Sequence, residues 1–432
     1  MRERHLPLVL CGARQVGKTT VIQEFSSSFQ NYLYFNLERK DDRELVEMEL
    51  PMDTFMTLLF ARKGVKQRQG TTLLFFDEIQ NSPKTIARLR YFYEDAPYVY
   101  IVAAGSLLEN IVDVKTSFPV GRVDYLPVRP CSFQEFVDAT GHGEQLEVMK
   151  NPEYTAPFHQ EYMAYFNQYC VIGGMPEVVQ HFADSGDMLA VDYIFRRLVR
   201  GYIDDVEKYT RTSKLSETVR FLLQYAPYRA GSTITLGKFE GSEYKSREVG
   251  EAFRLLQKAM LLELSYPTTS THVPAVPETR RMPKLFWFDT GIVNYVAKVR
   301  NELIGAKDIL DVWRGQIGEQ VVAQELLTLN NDINQTRCFW TRGKGESGAE
   351  VDFVWNMDSL LIPVEVKSGQ NSHLRSLHSF LDESPIGFAV RVWSGEFSVN
   401  DVVTTRLHKP FRQVNLPFYL VGNLEQIVKR YI

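Results

Sequence analysis

The sequence predicts an α/β protein whose first domain is a parallel sheet with helices on both faces. Three observations carry this. An apolar run, "LPLVL" (6–10), leads into the glycine-rich "CGARQVGKTT" (11–20), and a helix-compatible "TTVIQEFSSSF" (19–29) follows. A second apolar run, "TTLLFFDEIQ" (71–80), closes on two acids. Short β-prone segments, "YLYFNLE" (32–38) and "YVYIVAAGS" (98–106), recur with helical stretches between them, the alternation that builds a doubly covered parallel sheet.

The first observation is the pattern G-x-x-x-x-G-K-[ST], at Gly12, Gly17, Lys18 and Thr19. Glycines let backbone N–H groups approach phosphate oxygens, the lysine ammonium bridges the outer phosphates, and the threonine hydroxyl ligates magnesium. The helix that opens there adds the positive end of its dipole. Gly12, Ala13, Arg14, Gln15, Val16, Gly17, Lys18, Thr19 and Thr20 are therefore the expected cradle for ATP or ADP with magnesium. At the second observation, Asp77 suits the metal shell together with Thr19, and Glu78 suits the base that orients and deprotonates water. Ser106, where the last strand runs out, either touches the γ-phosphate or the attacking water, or is a turn residue. Arg122, in "FPVGRVDYLPVRPCSFQEF" (118–136), has two readings as well. It stabilises the transferring phosphoryl charge, from its own subunit or a neighbour's in an oligomer, or it is a surface arginine.

Composition sets the bounds. A length of 432 residues predicts more than one domain, and 44% hydrophobic with 24% charged residues is ordinary for a globular protein. No apolar run reaches the roughly 20 residues of a membrane helix, so no membrane partner is expected. The segment before Gly12 lacks the apolar core and cleavage site of a secretory signal. Cys11, Cys131, Cys170 and Cys338 are scattered without a CxxC pair. They read as free thiols of a reducing compartment and predict a cytoplasmic location. A net charge of −4 argues against tight, non-specific nucleic-acid binding by the whole surface.

Residues 131–213 pattern as helices and read as a lid that senses nucleotide. Arg196, Arg197 and Arg200 on the last of these helices are phosphate contacts or a solvated basic face. Residues 214–300 run helix, short strand, helix, β-wing, the order of a winged helix. There Lys245, Arg247 and Arg254 interleave with Glu243, Glu248 and Glu251, which leaves both DNA contact and protein docking open. In residues 301–432, "GESGAEVDFVW" (345–355) and "LLIPVEVKSGQ" (360–370) read as paired strands bearing Asp352, Glu365 and Lys367 in the spacing D-x₁₂-E-x-K. Alternate residues share a face, so Glu365 and Lys367 meet a common site that Asp352 can join. Two carboxylates there would hold magnesium and activate a water against a phosphodiester. This segment has 13 Lys and Arg against 16 Asp and Glu, so no bulk basic groove marks a DNA track.

"GARQVGKTT", "FFDEIQ", "AAGS", "FPVGRV" and "PCSFQEF", in this order, resemble the AAA-type ATPases of bacteria and archaea. "GGMPEVV" (173–179), "KLFWFDTG" (284–291), "GQIGEQVVAQEL" (315–326) and "VDFVW" with "PVEVKSG" are similar to the branch with a restriction-endonuclease-like C-terminal core. The resemblance implies ATP binding and hydrolysis, with Lys18 and Thr19 at the nucleotide and Asp77 and Glu78 as the acidic pair. It aligns Ser106 with a polar sensor and Arg122 with a Gly-Arg step, and it adds Glu319 to Asp352, Glu365 and Lys367 as a helical acid. The expected architecture is a P-loop ATPase core (1–130), a helical lid (131–213), a winged-helix unit (214–300) and a restriction-endonuclease-like α/β domain (301–432). The leading expectation is a magnesium-dependent ATPase whose cycle gates the C-terminal half. Its rivals are an ATP-licensed DNA endonuclease and a nucleotide-gated module that docks a partner protein without cutting.

Overall fold

The structure is a computed structural model that describes residues 5–105, 121–207, 210, 212–305, 316–329, 332, 337–343, 348–367 and 374–432. The chain divides into two compact units, one built on residues 1–129 and the other on residues 130–432 apart from two three-residue stretches.

In the first unit, β1 (Leu8–Cys11), β2 (Asn31–Asn36), β3 (Thr72–Asp77), β4 (Val99–Gly105) and β5 (Asp124–Pro127) form one sheet in the order β2-β3-β4-β1-β5. Every pairing is parallel. Burial explains the composition. All six residues of β3 are buried, as a strand covered on both faces must be. Its side chains alternate between two cores. Leu74 and Phe76 pack with Phe55 and Leu59 of helix Met52–Arg62 and with Ile86, Leu89 and Phe92 of helix Pro83–Asp95. Leu73 and Phe75 pack on the other face with Leu10 and with Ile22 of helix Lys18–Phe25. We name these helices in chain order α1 (Lys18–Phe25), α2 (Met52–Arg62) and α3 (Pro83–Asp95). Because the strands are parallel, the loop after Cys11 and the acids after Phe76 emerge at one edge of the sheet, where ligands of such folds bind.

The second unit contains α4 (His159–Ile172), α5 (Pro176–Ser185), α6 (Asp192–Glu207), α7 (Ser213–Tyr225), α8 (Ser246–Lys258), α9 (Gln316–Thr328) and α10 (Arg375–Glu383). Its sheet has nine strands in the order β13-β14-β12-β11-β10-β9-β7-β8-β6. They are β6 (Ser232–Thr233), β7 (Leu262–Thr268), β8 (Lys284–Trp287), β9 (Cys338–Thr341), β10 (Glu350–Met357), β11 (Leu360–Lys367), β12 (Phe388–Trp393), β13 (Ser398–Val403) and β14 (Pro410–Pro417).

Two arrangements differ from the sequence reading. The helical stretch expected as a lid is built into the second unit. There the backbone N–H of Phe133 (3.0 Å) and the hydroxyl of Tyr169 (2.7 Å) both donate to Oε1 of Glu325 on α9, and the N–H of Gly174 donates to Oδ2 of Asp289 at 2.6 Å. These bonds satisfy buried polar groups that would otherwise cost stability. The segments expected as winged-helix and nuclease-like domains share one sheet, because β7 pairs antiparallel with β8 and parallel with β9. Among the described residues, no helix is long and apolar enough to cross a membrane.

Candidate functional site

The site of the first unit begins where β1 ends. A Cβ on Gly12 would lie 2.4 Å from the carbonyl oxygen of Val128, so only glycine lets the backbone pass there. Gly17, with φ at +91°, sits immediately before α1 in the left-handed region and turns the chain into the helix. Gln15 holds a φ of +65° without being glycine, a strained backbone of the kind that clusters at ligand loops. Between these residues the loop wraps around its own lysine. The buried Lys18 ammonium donates to the carbonyls of Gly12 (2.9 Å) and Ala13 (2.8 Å).

The loop and the end of β3 meet although β4 lies between their strands. Thr19 donates its hydroxyl to Oδ2 of Asp77 at 2.9 Å, and Tyr34 of β2 donates to the same oxygen at 3.1 Å. Oδ1 of Asp77 accepts the N–H of Glu78 at 3.0 Å. Glu78 itself takes a left-handed φ of +53°, and the side-chain amide of Gln80 donates to its Oε2. Burial raises the Glu78 carboxyl above the ordinary range, and the Gln80 hydrogen bond opposes that shift. A hydroxyl and a carboxylate are hard oxygen donors, so Thr19 and Asp77 fit a magnesium ion. The carboxylate of Glu78 stands beside them with raised basicity.

Arg122 is not brought to this edge. It precedes β5, whose Asp124 pairs with Leu8 at the start of β1, while Pro127 pairs with Cys11 at the loop end. Arg122 forms an ion pair with Glu94 at 3.5 Å, and its guanidinium lies over the ring of Tyr93. Ser106 lies outside the described residues.

The second expected site is in the nine-stranded sheet. Asp352 of β10 and Glu365 and Lys367 of β11 do share a locality, and Glu319 comes to it from α9. Lys367 pairs with Oε1 of Glu365 at 2.6 Å, and the N–H of Val366 donates to Oδ2 of Asp352 at 2.9 Å. A further residue sits among them. Lys284, the first residue of β8 and 3% exposed, reaches Glu319 at 2.7 Å, Glu350 at 2.8 Å and Asp352 at 3.1 Å. Burial would lower its ammonium pKa, but the attraction of Asp352, Glu319 and Glu350 outweighs this and holds it well above the usual range. Burial, with Asp352 nearby, pushes Glu319 up to about 8 and Glu365 up to about 7. Among the described residues, no group of three or more His, Cys, Asp or Glu side chains is placed to hold a metal ion.

Residues 4–137 match the family described as AAA domain. The all-parallel five-stranded sheet of the first unit, with its covering helices, fits a P-loop NTPase. Residues 163–303 match a domain of unknown function (DUF8612), and residues 314–405 match another (DUF4143). No curated protein matches the chain. Among solved structures, the chain is similar to a Walker-type ATPase of Pyrococcus abyssi at 13% identity and a TM-score of 0.39, over 68% of this chain and 91% of that one. It is similar to the Orc1 protein of Aeropyrum pernix, determined in complex with DNA, at 14% identity and a TM-score of 0.24, over 68% and 87%. It is also similar to Cdc6p from Pyrobaculum aerophilum at 14% identity and a TM-score of 0.24, over 70% and 88%. Scores of this size identify no shared ligand.

Sequence reasoning missed four residues at these sites: Tyr34, Gln80, Lys284 and Glu350. For Lys284 a signal existed. A lysine that opens the otherwise apolar "KLFWF" (284–288) must be buried with its strand, and a buried ammonium needs carboxylates. Tyr34 and Gln80 had none, since tyrosine is ordinary in strands and glutamine in turns.

Proposed function

We propose that this protein is a magnesium-dependent ATPase working at Gly12–Thr20, Asp77 and Glu78. The observation that supports the reading best is the hydrogen bond from Thr19 to Asp77, because these are the two groups that would hold the metal. Magnesium, when bound, neutralises charge on the outer phosphate oxygens. Lys18, now closed onto two carbonyls of its own loop, exchanges them for phosphate oxygens, and the loop N–H groups take the rest of the charge. Glu78 accepts a proton from the attacking water, helped by the basicity that burial gives it. Lys18→Ala tests this: phosphate release is lost while the circular dichroism spectrum is kept. Glu78→Gln retains bound ATP without turnover. Normal turnover in either variant refutes the assignment.

The second unit is, in this reading, what the nucleotide cycle acts upon. The order α9, β9, β10, β11, α10, β12, with β9 to β11 antiparallel and β12 parallel to β11, supports a restriction-endonuclease-like core. The order α7, β6, α8, β7, β8 supports a winged-helix unit, with β8 between β6 and β7. On that unit Glu248 pairs with Lys214 at 2.5 Å, and its carboxylate accepts the N–H of Lys245, so acid interrupts the basic face. This favours a protein over DNA as the partner docked there. Hydrogen exchange with and without ATP and magnesium tests the coupling. Identical protection across residues 130–432 in the two states would rule it out.

A further inference from the structure

We infer that the acidic pocket of the second unit is filled by the chain's own Lys284 and takes up no divalent cation. A restriction-endonuclease-like core implies a metal at Asp352 and Glu365, and the residues present do not fit one. Three of their four carboxylate oxygens are already engaged, and the fourth, Oε2 of Glu365, is buried without a hydrogen-bond partner and cannot make a metal shell alone. Asp352 gives Oδ1 to Lys284 at 3.1 Å and Oδ2 to the N–H of Val366 at 2.9 Å. Glu319 gives Oε2 to Lys284 at 2.7 Å, and Glu365 gives Oε1 to Lys367 at 2.6 Å.

The register of the fold makes this arrangement. Lys284 pairs with Ser265 of β7 and Thr233 of β6, which fixes its Cα in mid-sheet. Glu350 and Asp352 are alternate residues of β10 and so present both carboxylates on one face. The ring of Phe339 on β9 closes another side, with its centroid 5.2 Å from the ammonium. An aromatic face suits an ammonium ion. Magnesium requires about six oxygen ligands at close to 2.1 Å and keeps several waters. With Lys284 held by three carboxylates against a phenyl ring, the unpartnered Oε2 of Glu365 falls far short of that set. A divalent ion placed there would also stand against a buried positive charge that cannot leave, since the lysine is tethered in a fully buried strand.

The test is manganese uptake by the full chain without nucleotide, read by electron paramagnetic resonance and by the shift in Tm. The expected result is that uptake by the native protein is unchanged by Asp352→Asn, so none of it belongs to this pocket. Lys284→Met keeps an apolar stem and removes the charge. This variant is expected to lose thermal stability, to bind manganese at millimolar concentration, and to regain Tm with the metal. That gain disappears again in the Lys284→Met, Asp352→Asn double variant. Uptake by the native protein that Asp352→Asn abolishes overturns the inference. A folded Lys284→Met protein that binds no manganese overturns it too. Should Lys284→Met fail to fold even with manganese, the native and Asp352→Asn titrations decide the matter alone. ATP turnover in the first unit is a separate readout, so failure here is distinguishable from failure of the ATPase reading.

Discussion

Thr19 donates its hydroxyl to Asp77 at 2.9 Å, a contact between residues 58 positions apart that joins the first helix to the end of β3. Oδ2 of Asp77 also receives Tyr34, so two hydroxyls orient the carboxylate. A group oriented in advance loses little freedom on binding. Asp77→Asn keeps an acceptor for both hydroxyls and removes the charge. Turnover is expected to fall by about 100-fold or more. Calorimetry should show that magnesium no longer strengthens ATP binding. An unchanged magnesium effect would remove Asp77 from the metal shell.

In the proposed mechanism Gln80 tunes the base. Burial raises the Glu78 carboxyl, and the amide of Gln80 stabilises the carboxylate and lowers it again. Removing that donor must raise the pKa further, and the base works only when deprotonated. In Gln80→Ala the acid limb of the pH–rate profile therefore moves to higher pH, while turnover at alkaline pH changes much less. A uniform drop at every pH would mean that Gln80 only supports the fold.

Arg122 is 48% exposed and paired with Glu94 at the opposite end of β1 from the loop. Its exposed ion pair contributes at most about 1 kcal/mol. Arg122→Ala is expected to leave turnover within about twofold in dilute protein, because this arginine cannot reach its own loop. A loss that grows with protein concentration would instead identify it as a residue of a neighbour's site.

Plasmid DNA incubated with the protein, magnesium and ATP is expected to stay intact, because the pocket that a nuclease would load with metal holds Lys284. Cutting that Lys367→Ala abolishes would establish the opposite.

The parts of this molecule that could be read from sequence are those with a short-range cause. The glycines of the loop, the apolar β3 and the acids at its end are local patterns, and each follows from a chemical need expressed within about ten residues. The spacing of Asp352, Glu365 and Lys367 was legible for the same reason, since strand alternation is local. What occupies their pocket was not. Lys284 lies 68 positions from Asp352, and only the pairing of β7 with both β8 and β9 brings them together. Non-local register also explains why "GGMPEVV" and "FDTG" were legible only as a resemblance. Gly174 donates to Asp289 across 115 positions, and neither segment alone states the need for the other.

Glu325 supplies the last prediction. It is fully buried on α9, where Oε1 accepts the N–H of Phe133 and the hydroxyl of Tyr169. Burial pushes its pKa from 4.5 up to about 7, and the two hydrogen bonds only partly oppose this. Between these values the folded protein holds a proton that the unfolded chain has released. Stability therefore falls as pH rises through that window. Below it the group has no effect, and above pH 7 its full penalty is present, on the order of 3 kcal/mol. Glu325→Gln retains the acceptor oxygen and cannot ionise. Urea unfolding should find the variant close to the native protein at pH 5 and more stable at pH 8. Asp289 titrates in the same direction in both proteins, since burial raises it to about 6, so it cancels from the comparison. A difference in stability that is the same at both pH values would show that the buried carboxylate stays ionised throughout, and that the site gains its hydrogen bonds without a proton.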